Sequence, residues 1–525
     1  MDNLVDNLTL QEHVESLFQF ALTESANRPA LQKFHRILEE SHLRLNQPMR
    51  VAIVGLIKAG KSTLMNSLLG EAVVATGTVE ATFNVNWLKY NSQPSLLVHF
   101  KDGRSPEPKS FEELKALTVR AKEHQEYLLS IKYIEVGYPN EILRTLSLID
   151  TPGLESYYKD DSNNTLEFLK LHGQNLTQVT EAEASNADAV LYLFSQSIAT
   201  TDKSIVETFT GQSLGQATPI NAIGVLTKVD AYWSDYENPM EAGEKVTKRL
   251  SEHPQVKSLF YNISPVCGLL AFGAQTLTLE EFEILLELAK VPANFLESKL
   301  RVEERFTQRE YQEIPISPAK RQLVWKRLGQ YGVWLACSLI CQGINNQKSL
   351  SEQLLQHSGV SNLRNLITSH FGNRAFLIKL NTGLRQIAVA RFQERIHLQG
   401  VDLQILEDIA GKFEALESQE HSLQELQILR IYYEKKLDFD EEEAKQLLEI
   451  TGEYGISYAQ RLGLDQQATV PRMIQVATER MQQWYRVAND AIGVDRQTIY
   501  AAQVMARSYE GIVHRLSDAK KHLGL

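Results

Sequence analysis

Gly55-Leu56-Ile57-Lys58-Ala59-Gly60-Lys61-Ser62 has the residue types and spacing of a phosphate-binding loop, and it directly follows the apolar run Val51-Ala52-Ile53-Val54. Gly55 and Gly60 let the backbone curl so that its N–H groups face phosphate oxygens. Lys61 offers a point charge to the β- and γ-phosphates, and Ser62 offers a hydroxyl ligand for Mg²⁺. Lys58, Ala59 and Thr63 complete the expected contact set. Thr63 to Leu69 has helical character and ends at Gly70. A strand, loop and helix in this order predict a nucleoside triphosphate site; a plain Gly-rich turn is the alternative.

The base is addressed further along. Thr227-Lys228-Val229-Asp230 follows Ala222-Ile223-Gly224-Val225-Leu226, an apolar run of the kind found in buried parallel strands. Asp230 can accept hydrogen bonds from the N1–H and 2-amino group of guanine, a pair that adenine lacks. Lys228 can lay its aliphatic stem along the ring. Between the two loops lies Leu148-Ile149-Asp150-Thr151-Pro152-Gly153. Here Asp150 is placed to hold Mg²⁺ through water, and the Gly153 N–H to sense the γ-phosphate. Alone, each short string is an ordinary turn. Their joint order, each at a strand end, predicts a GTPase with GTP as substrate and Mg²⁺ as cofactor.

Two further elements are expected at the site. Thr82, ahead of the expected strand Phe83–Leu88, is the first choice for a threonine that joins Mg²⁺ when the γ-phosphate is present, with Thr78 and Thr76 as alternatives. Ser264 and Pro265 open the stretch Ser264–Gly268, which is placed to give backbone N–H groups to guanine O6; a simple loop is the other reading. Hydrolysis is a matter of positioning water and neutralising charge. Leu154 stands where many small GTPases place a glutamine, so the Thr82 carbonyl and the Gly153 amide are the expected water holders. Lys58 is a candidate cation for the phosphates when two GTPase domains face each other; a solvated loop charge is the equal alternative.

The run from Gly55 to Gly70, with Asp150–Leu154 and Thr227–Asp230, resembles that of bacterial dynamin-like GTPases. Ser358-Gly359-Val360, Leu363-Arg364 and His370-Phe371-Gly372 are similar to the segment that closes such domains. Ile57-Lys58 replaces the Gln-Ser of eukaryotic dynamins, and Glu80-Ala81-Thr82 replaces the Pro-Thr-Thr of bacterial relatives. The resemblance implies a GTPase head on a helical stalk, self-association through both, and membrane remodelling.

The chain of 525 residues is long enough for several domains, and its formal net charge of −11 argues against a nucleic-acid partner. The expected fold class is α/β: a P-loop GTPase domain with a mostly parallel sheet and helices on both faces, plus a discontinuous antiparallel helical bundle. Residues 1–48 supply helices to that bundle, 49–372 the GTPase domain with a helical elaboration at about 271–345, and 373–525 the rest. Phe413, Leu416, Leu423, Leu426, Leu429, Tyr433 and Leu437 form one helical seam, with breaks expected near Gly400, Asp438 and Gly463. Cys267, Cys337 and Cys341 lack metal-site spacing, and the start of the chain has no signal-peptide pattern, so a cytoplasmic location is expected. Peripheral membrane contact is compatible with this, although no run is long enough to span a bilayer and the turn at Asp438–Glu443 is too acidic to grip anionic lipid. A soluble GTPase switch or assembly partner is the alternative function.

Overall fold

In the computed structural model the described residues are 2–55, 58–74, 84–118, 125–150, 187–195, 220–253, 256, 259–372, 374–434, 436–489 and 495–523. They belong to two compact units, one built from 50–217 and 221–366, the other from 1–49, 218–220 and 367–525. The π-helical stretch Ile367–Gly372 thus groups with the second unit.

Among the described residues the first unit is organised by a sheet of nine strands: β1 (Met49–Gly55), β2 (Asn86–Tyr90), β3 (Ser95–Phe100), β4 (Glu107–Lys109), β5 (Ile131–Tyr138), β6 (Leu146–Asp150), β7 (Ala189–Phe194), β8 (Ala222–Leu226) and β9 (Ile263–Pro265). Their spatial order is β4-β3-β5-β2-β6-β1-β7-β8-β9. β1, β7, β8 and β9 form successive parallel pairs, and β2 pairs parallel with β5. The β2/β6, β3/β5 and β3/β4 pairs are antiparallel, so the sheet is mixed. β6, β7 and β8 are buried at every residue, and β7 and β8 accordingly appear in the chain as unbroken apolar runs, whereas β6 carries Ser147 and Asp150. β2 begins at Asn86 rather than Phe83, because its ladder starts where Asn86 faces Ile134 of β5 and Asp150 of β6. Asn84 is held by its side chain on the Leu117 carbonyl instead.

Helices Gly268–Gln275, Leu279–Leu288, Pro318–Cys341 and Gln347–Gln356 continue the same apolar core. Pro318–Cys341 is broken at Gly329. Val333, Leu335, Ala336, Cys337 and Leu339 are buried in that core.

The second unit is helical and has two cores. Helices Asp2–Ser25, Gln32–Leu45, Ala375–Glu394 and Gly400–Gln419 surround the first, joined through Phe18, Phe34, Leu384 and Phe413. Lys379 ties the terminal segments together, donating to the carbonyls of Leu45 at 2.6 Å and Gln47 at 2.8 Å. Helices His421–Tyr433, Glu441–Ile450, Val470–Asn489 and Arg496–Leu523 surround the second, centred on Trp484 and Tyr509. The seam expected as one helix face is broken at Glu420, whose ψ of 115° separates two helices. Phe413, Leu416 and Leu423 serve the first core, while Leu437 lies beyond the helix end against the second. Glu420 is an ordinary helix former, so local propensity gives no warning of the break. The acidic turn has a local purpose: Asp440 caps helix Glu441–Ile450, and Glu441 to Glu443 lie at its positive end.

His370, fully buried, faces the Ile220 carbonyl through Nε2 at 3.0 Å and Arg374 through Nδ1 at 3.1 Å, and Arg374 pairs with Glu453 at 2.8 Å. In this arrangement Nε2–H donates to Ile220 and Nδ1 accepts from Arg374, which requires a neutral ring. Burial accordingly pushes the His370 pKa below its usual 6.5, with Glu453 opposing and Arg374 assisting. The unfolded chain then binds the proton more readily, so this stabilisation is complete above the ordinary histidine range and is lost as pH falls through the lowered folded value. The unfolding midpoint should therefore drop between about pH 7 and about pH 5, and His370→Gln should flatten that slope. An identical slope in the variant would show that another group is responsible.

Candidate functional site

β1 runs into the phosphate loop at Gly55, and helix Lys61–Leu69 leaves it. A side chain at Gly55 would put Cβ 2.3 Å from the Leu193 carbonyl oxygen, so only glycine lets β1 approach β7 here. Lys58 and Gly60 both have positive φ, +62° and +88°, and these left-handed steps turn the loop over the strand end. Among the described residues, the non-glycine positions with positive φ are Asn27, Lys58 and Lys228; two of these three lie in the phosphate and base loops, where such strain often concentrates. Lys58 itself is exposed.

Lys61 is 8% exposed, and its Nζ donates to the Gly55 carbonyl at 3.1 Å. Burial lowers its pKa while the charge of Asp150 raises it. Asp150 ends β6 fully buried, with Oδ2 3.5 Å from the Ser62 hydroxyl. Hydroxyl and carboxylate oxygens held side by side are a donor set that suits a hard cation such as Mg²⁺. Thr63 lies in the first turn of the same helix, and its methyl group lies beside Gly268. Thr82 and Gly153 lie outside the described residues, as do Thr76, Thr78 and Leu154.

Parallel pairing brings the base loop alongside. Leu193 is level with both Gly55 and Val225, so the ends of β1, β7 and β8 form one edge. Thr227 Oγ1 lies 2.7 Å from the Ala59 carbonyl and 3.0 Å from the Phe194 carbonyl; with one proton, it donates to one at a time. This hydroxyl joins the phosphate loop to the base loop. Lys228 is exposed, and Val229–Ser234 forms a 3₁₀ turn that carries Asp230. Burial raises the Asp230 pKa, and the neighbouring Cys267 and the charge of Lys228 oppose the shift.

Ser264 and Pro265 fall inside β9 rather than in a loop. The following N–H groups are engaged internally, Val266 with the Leu226 carbonyl and Cys267 with the Ser358 carbonyl, both at 2.8 Å. Pro265 has no N–H, and Gly268, the last residue of the expected stretch, opens helix Gly268–Gln275, whose first-turn amides can point at a base.

Three residues with no apparent site role in the sequence hold the phosphate-loop helix. Buried Asn66 accepts from the N–H groups of Val73 and Val74 and donates to the Val74 carbonyl at 2.9 Å. Gln275 donates to the Ser67 carbonyl at 3.0 Å, and Arg364 donates to the Leu68 carbonyl. An amide set among Leu64, Met65, Leu68 and Leu69 is the sequence signal that marks Asn66.

Thr227→Val keeps the shape but removes the hydroxyl that joins the two loops. It should weaken guanine-nucleotide binding by about tenfold, as one buried hydrogen bond warrants, with little change in unfolding midpoint. Calorimetric titration with GDP checks this; unchanged affinity would show that the loops are held by other contacts.

Residues 51–229 match the model of the dynamin family. Isoniazid-induced protein IniC of Mycobacterium tuberculosis is 28% identical over 481 residues, covering 91% of this chain and 93% of the relative. Dynamin-like protein 2 of Campylobacter jejuni is 31% identical over 156 residues, covering 29% of this chain and 25% of the relative. A solved structure described as an oligomerised bacterial dynamin pair aligns with 98% of this chain and 94% of its own at 14% identity, with a TM-score of 0.30. The family-model match, ending one residue before Asp230, covers the phosphate loop, Asp150 and Thr227, and together with these relatives it supports a bacterial dynamin-like GTPase.

Proposed function

We propose that this GTPase couples Mg²⁺-dependent GTP hydrolysis to pairing of its GTPase domains, to self-assembly through its helical unit and to membrane remodelling. The observation that carries the catalytic part is the single edge where Lys61, Ser62, Asp150 and Asp230 converge, joined by the Thr227 hydroxyl. Lys61 exchanges the Gly55 carbonyl for phosphate oxygens, a favourable trade for an ammonium that burial has already stripped of water. Ser62 and Asp150 would hold Mg²⁺, which supplies charge neutralisation when bound. Asp230 accepts from the guanine edge, and Lys228 covers the ring. Thr82 and Gly153 are assigned to the attacking water, and exposed Lys58 to the phosphates across a head-to-head pair.

Support for the membrane part comes from an apolar patch in the second unit. Val389, Phe392, Ile396 and Val401 are 56%, 68%, 71% and 62% exposed around the turn between helices Ala375–Glu394 and Gly400–Gln419. Exposed Arg385, Arg395 and His397 lie in the same stretch. Exposed apolar side chains with basic residues in the same stretch suit an anionic lipid surface better than the acidic Asp438–Glu443 turn does, although Glu394, Asp402 and Glu407 lie there too and Arg395 pairs with Glu407. Among the described residues no helix is long and apolar enough to cross a membrane.

The chain should turn over GTP and not ATP, and Lys61→Ala should lower turnover by about 10²-fold or more. Lys58→Ala should lose the rise in specific activity with protein concentration; if the rise persists, Lys58 is only a solvated charge. Replacing Phe392 and Ile396 together with Asp should abolish co-sedimentation with anionic vesicles and leave turnover in their absence intact. Equal pelleting of the wild type and this variant would favour a soluble switch or assembly partner.

A further inference from the structure

Helices Asp2–Ser25, His421–Tyr433 and Arg496–Leu523 of the helical unit, together with Arg461, line a cavity of about 360 Å³, the size of a small-ligand site. Its charge runs against that of the chain, whose formal net charge is −11. Arg461, Arg507 and Arg515 line it with only two carboxylates, Glu420 and Glu425. Glu425 is already engaged, 2.5 Å from Arg461 and 3.5 Å from His421 Nε2. Burial would raise its pKa, but the Arg461 charge overrides this and holds it down at about 2. Glu420 faces His13 at 3.5 Å. Arg507 is exposed and makes no hydrogen bond or ion pair among the described residues. Arg507, Gly511 and Arg515 follow at four-residue spacing and so share one helix face. Arg515 Nη2 would lie 3.9 Å from a Cβ at Gly511, which places this guanidinium one turn back, over the glycine and towards Arg507. From the neighbouring helix come His421 and Ser422, whose hydroxyl has no hydrogen-bond partner among the described residues.

We infer that this cavity binds a phosphate group, held by the Arg507 and Arg515 guanidiniums and the Ser422 hydroxyl, as an anion site additional to the nucleotide loops. Planar guanidinium forks match phosphate oxygens in pairs, and two of them a turn apart repel each other unless an anion lies between. A carboxylate ligand offers two oxygens and one charge, whereas a phosphate has acceptors enough for both forks and the hydroxyl. The cavity is built to bind rather than to react. Ser508, His421 and Glu425 stand together, but Ser508 and Glu425 both meet the same ring nitrogen, Nε2, and Ser508 donates to the Val504 carbonyl. That is not the geometry of a hydrolytic triad, in which the acid holds the ring nitrogen away from the serine. The phosphate can belong to a soluble compound or to a lipid headgroup, since both offer the same oxygens.

The test uses the full chain saturated with GDP and Mg²⁺, so that added phosphate does not compete for the nucleotide loop. Calorimetric titration with inorganic phosphate should saturate, and phosphate should raise the unfolding midpoint. Arg507→Gln and Arg515→Gln should each weaken binding by about tenfold or more, the worth of a hydrogen bond to a charged group, and remove the rise in midpoint. Arg507→Lys should fall between, because it keeps the charge and loses the fork. Arg507 is exposed, so its variants should match the wild-type midpoint without phosphate, and they carry the test if Arg515→Gln fails to fold. Co-sedimentation with vesicles of phosphatidylglycerol in phosphatidylcholine identifies the source of the phosphate. Pelleting lost in the double Arg507→Gln, Arg515→Gln variant assigns it to a lipid headgroup; unchanged pelleting, with phosphate binding lost in solution, assigns it to a soluble compound. No saturable binding by the wild type, or equal binding by the wild type and Arg507→Gln, would overturn the proposal.

Discussion

Parallel pairing of β1, β7 and β8 lines up three strand ends, and the chemistry of this molecule depends on that alignment. Because Leu193 is level with Gly55 on one side and Val225 on the other, loops far apart in sequence emerge side by side. The Thr227 hydroxyl can then reach the Ala59 carbonyl, 168 positions away in the chain. The alignment in turn requires glycine at 55, where any Cβ would strike the Leu193 carbonyl. A residue usually explained by phosphate approach is therefore also demanded by the sheet.

Buried ionisable groups recur where the molecule must hold a geometry, and each is managed differently. Lys61 is offset by the nearby charge of Asp150 and by a carbonyl of its own loop. Asp230 is offset by the neighbouring Cys267 and by the charge of Lys228. His370 avoids the cost by remaining neutral, and so can accept from Arg374, whose charge Glu453 neutralises. Leaving a buried charge uncompensated costs several kcal/mol, about as much as a domain can spare, so the partners are as constrained as the groups they serve.

The helical unit divides its apolar residues between two cores, and helix His421–Tyr433 serves both, Leu423 in the first and Ile428 in the second. Around the turn at Ile396 the same kind of residue is left outside, with Phe392 more than half exposed. Bundle packing needs no Phe or Ile there, which makes this patch the feature that most favours a lipid surface over a purely soluble assembly.

Much of the nucleotide site was legible in the sequence because its chemistry is local. Gly60 and Lys61 on either side of a turn, or Asp230 at a strand end, state their geometry within a few residues, and β8 appeared as the apolar run Ala222–Leu226 at its full length. What depends on distant partners was not legible. Ser264 and Pro265 became strand because β8 offered a neighbouring edge, and that pairing used the amide expected to face the base. The start of β2 was set by where β5 and β6 begin, and the division of the seam by packing, since Leu423, beyond the break at Glu420, still serves the first core with Phe413 and Leu416 while Leu437 meets the second. Phe392 and Ile396 have the helical spacing of core residues, and only packing decides which apolar face of a helix is covered. Sequence by itself determined what the site can bind, because ligand chemistry resides in side-chain type and short-range backbone curvature. Tertiary structure alone decided which loops meet and which apolar surface stays exposed, because both depend on contacts between segments that sequence distance does not encode.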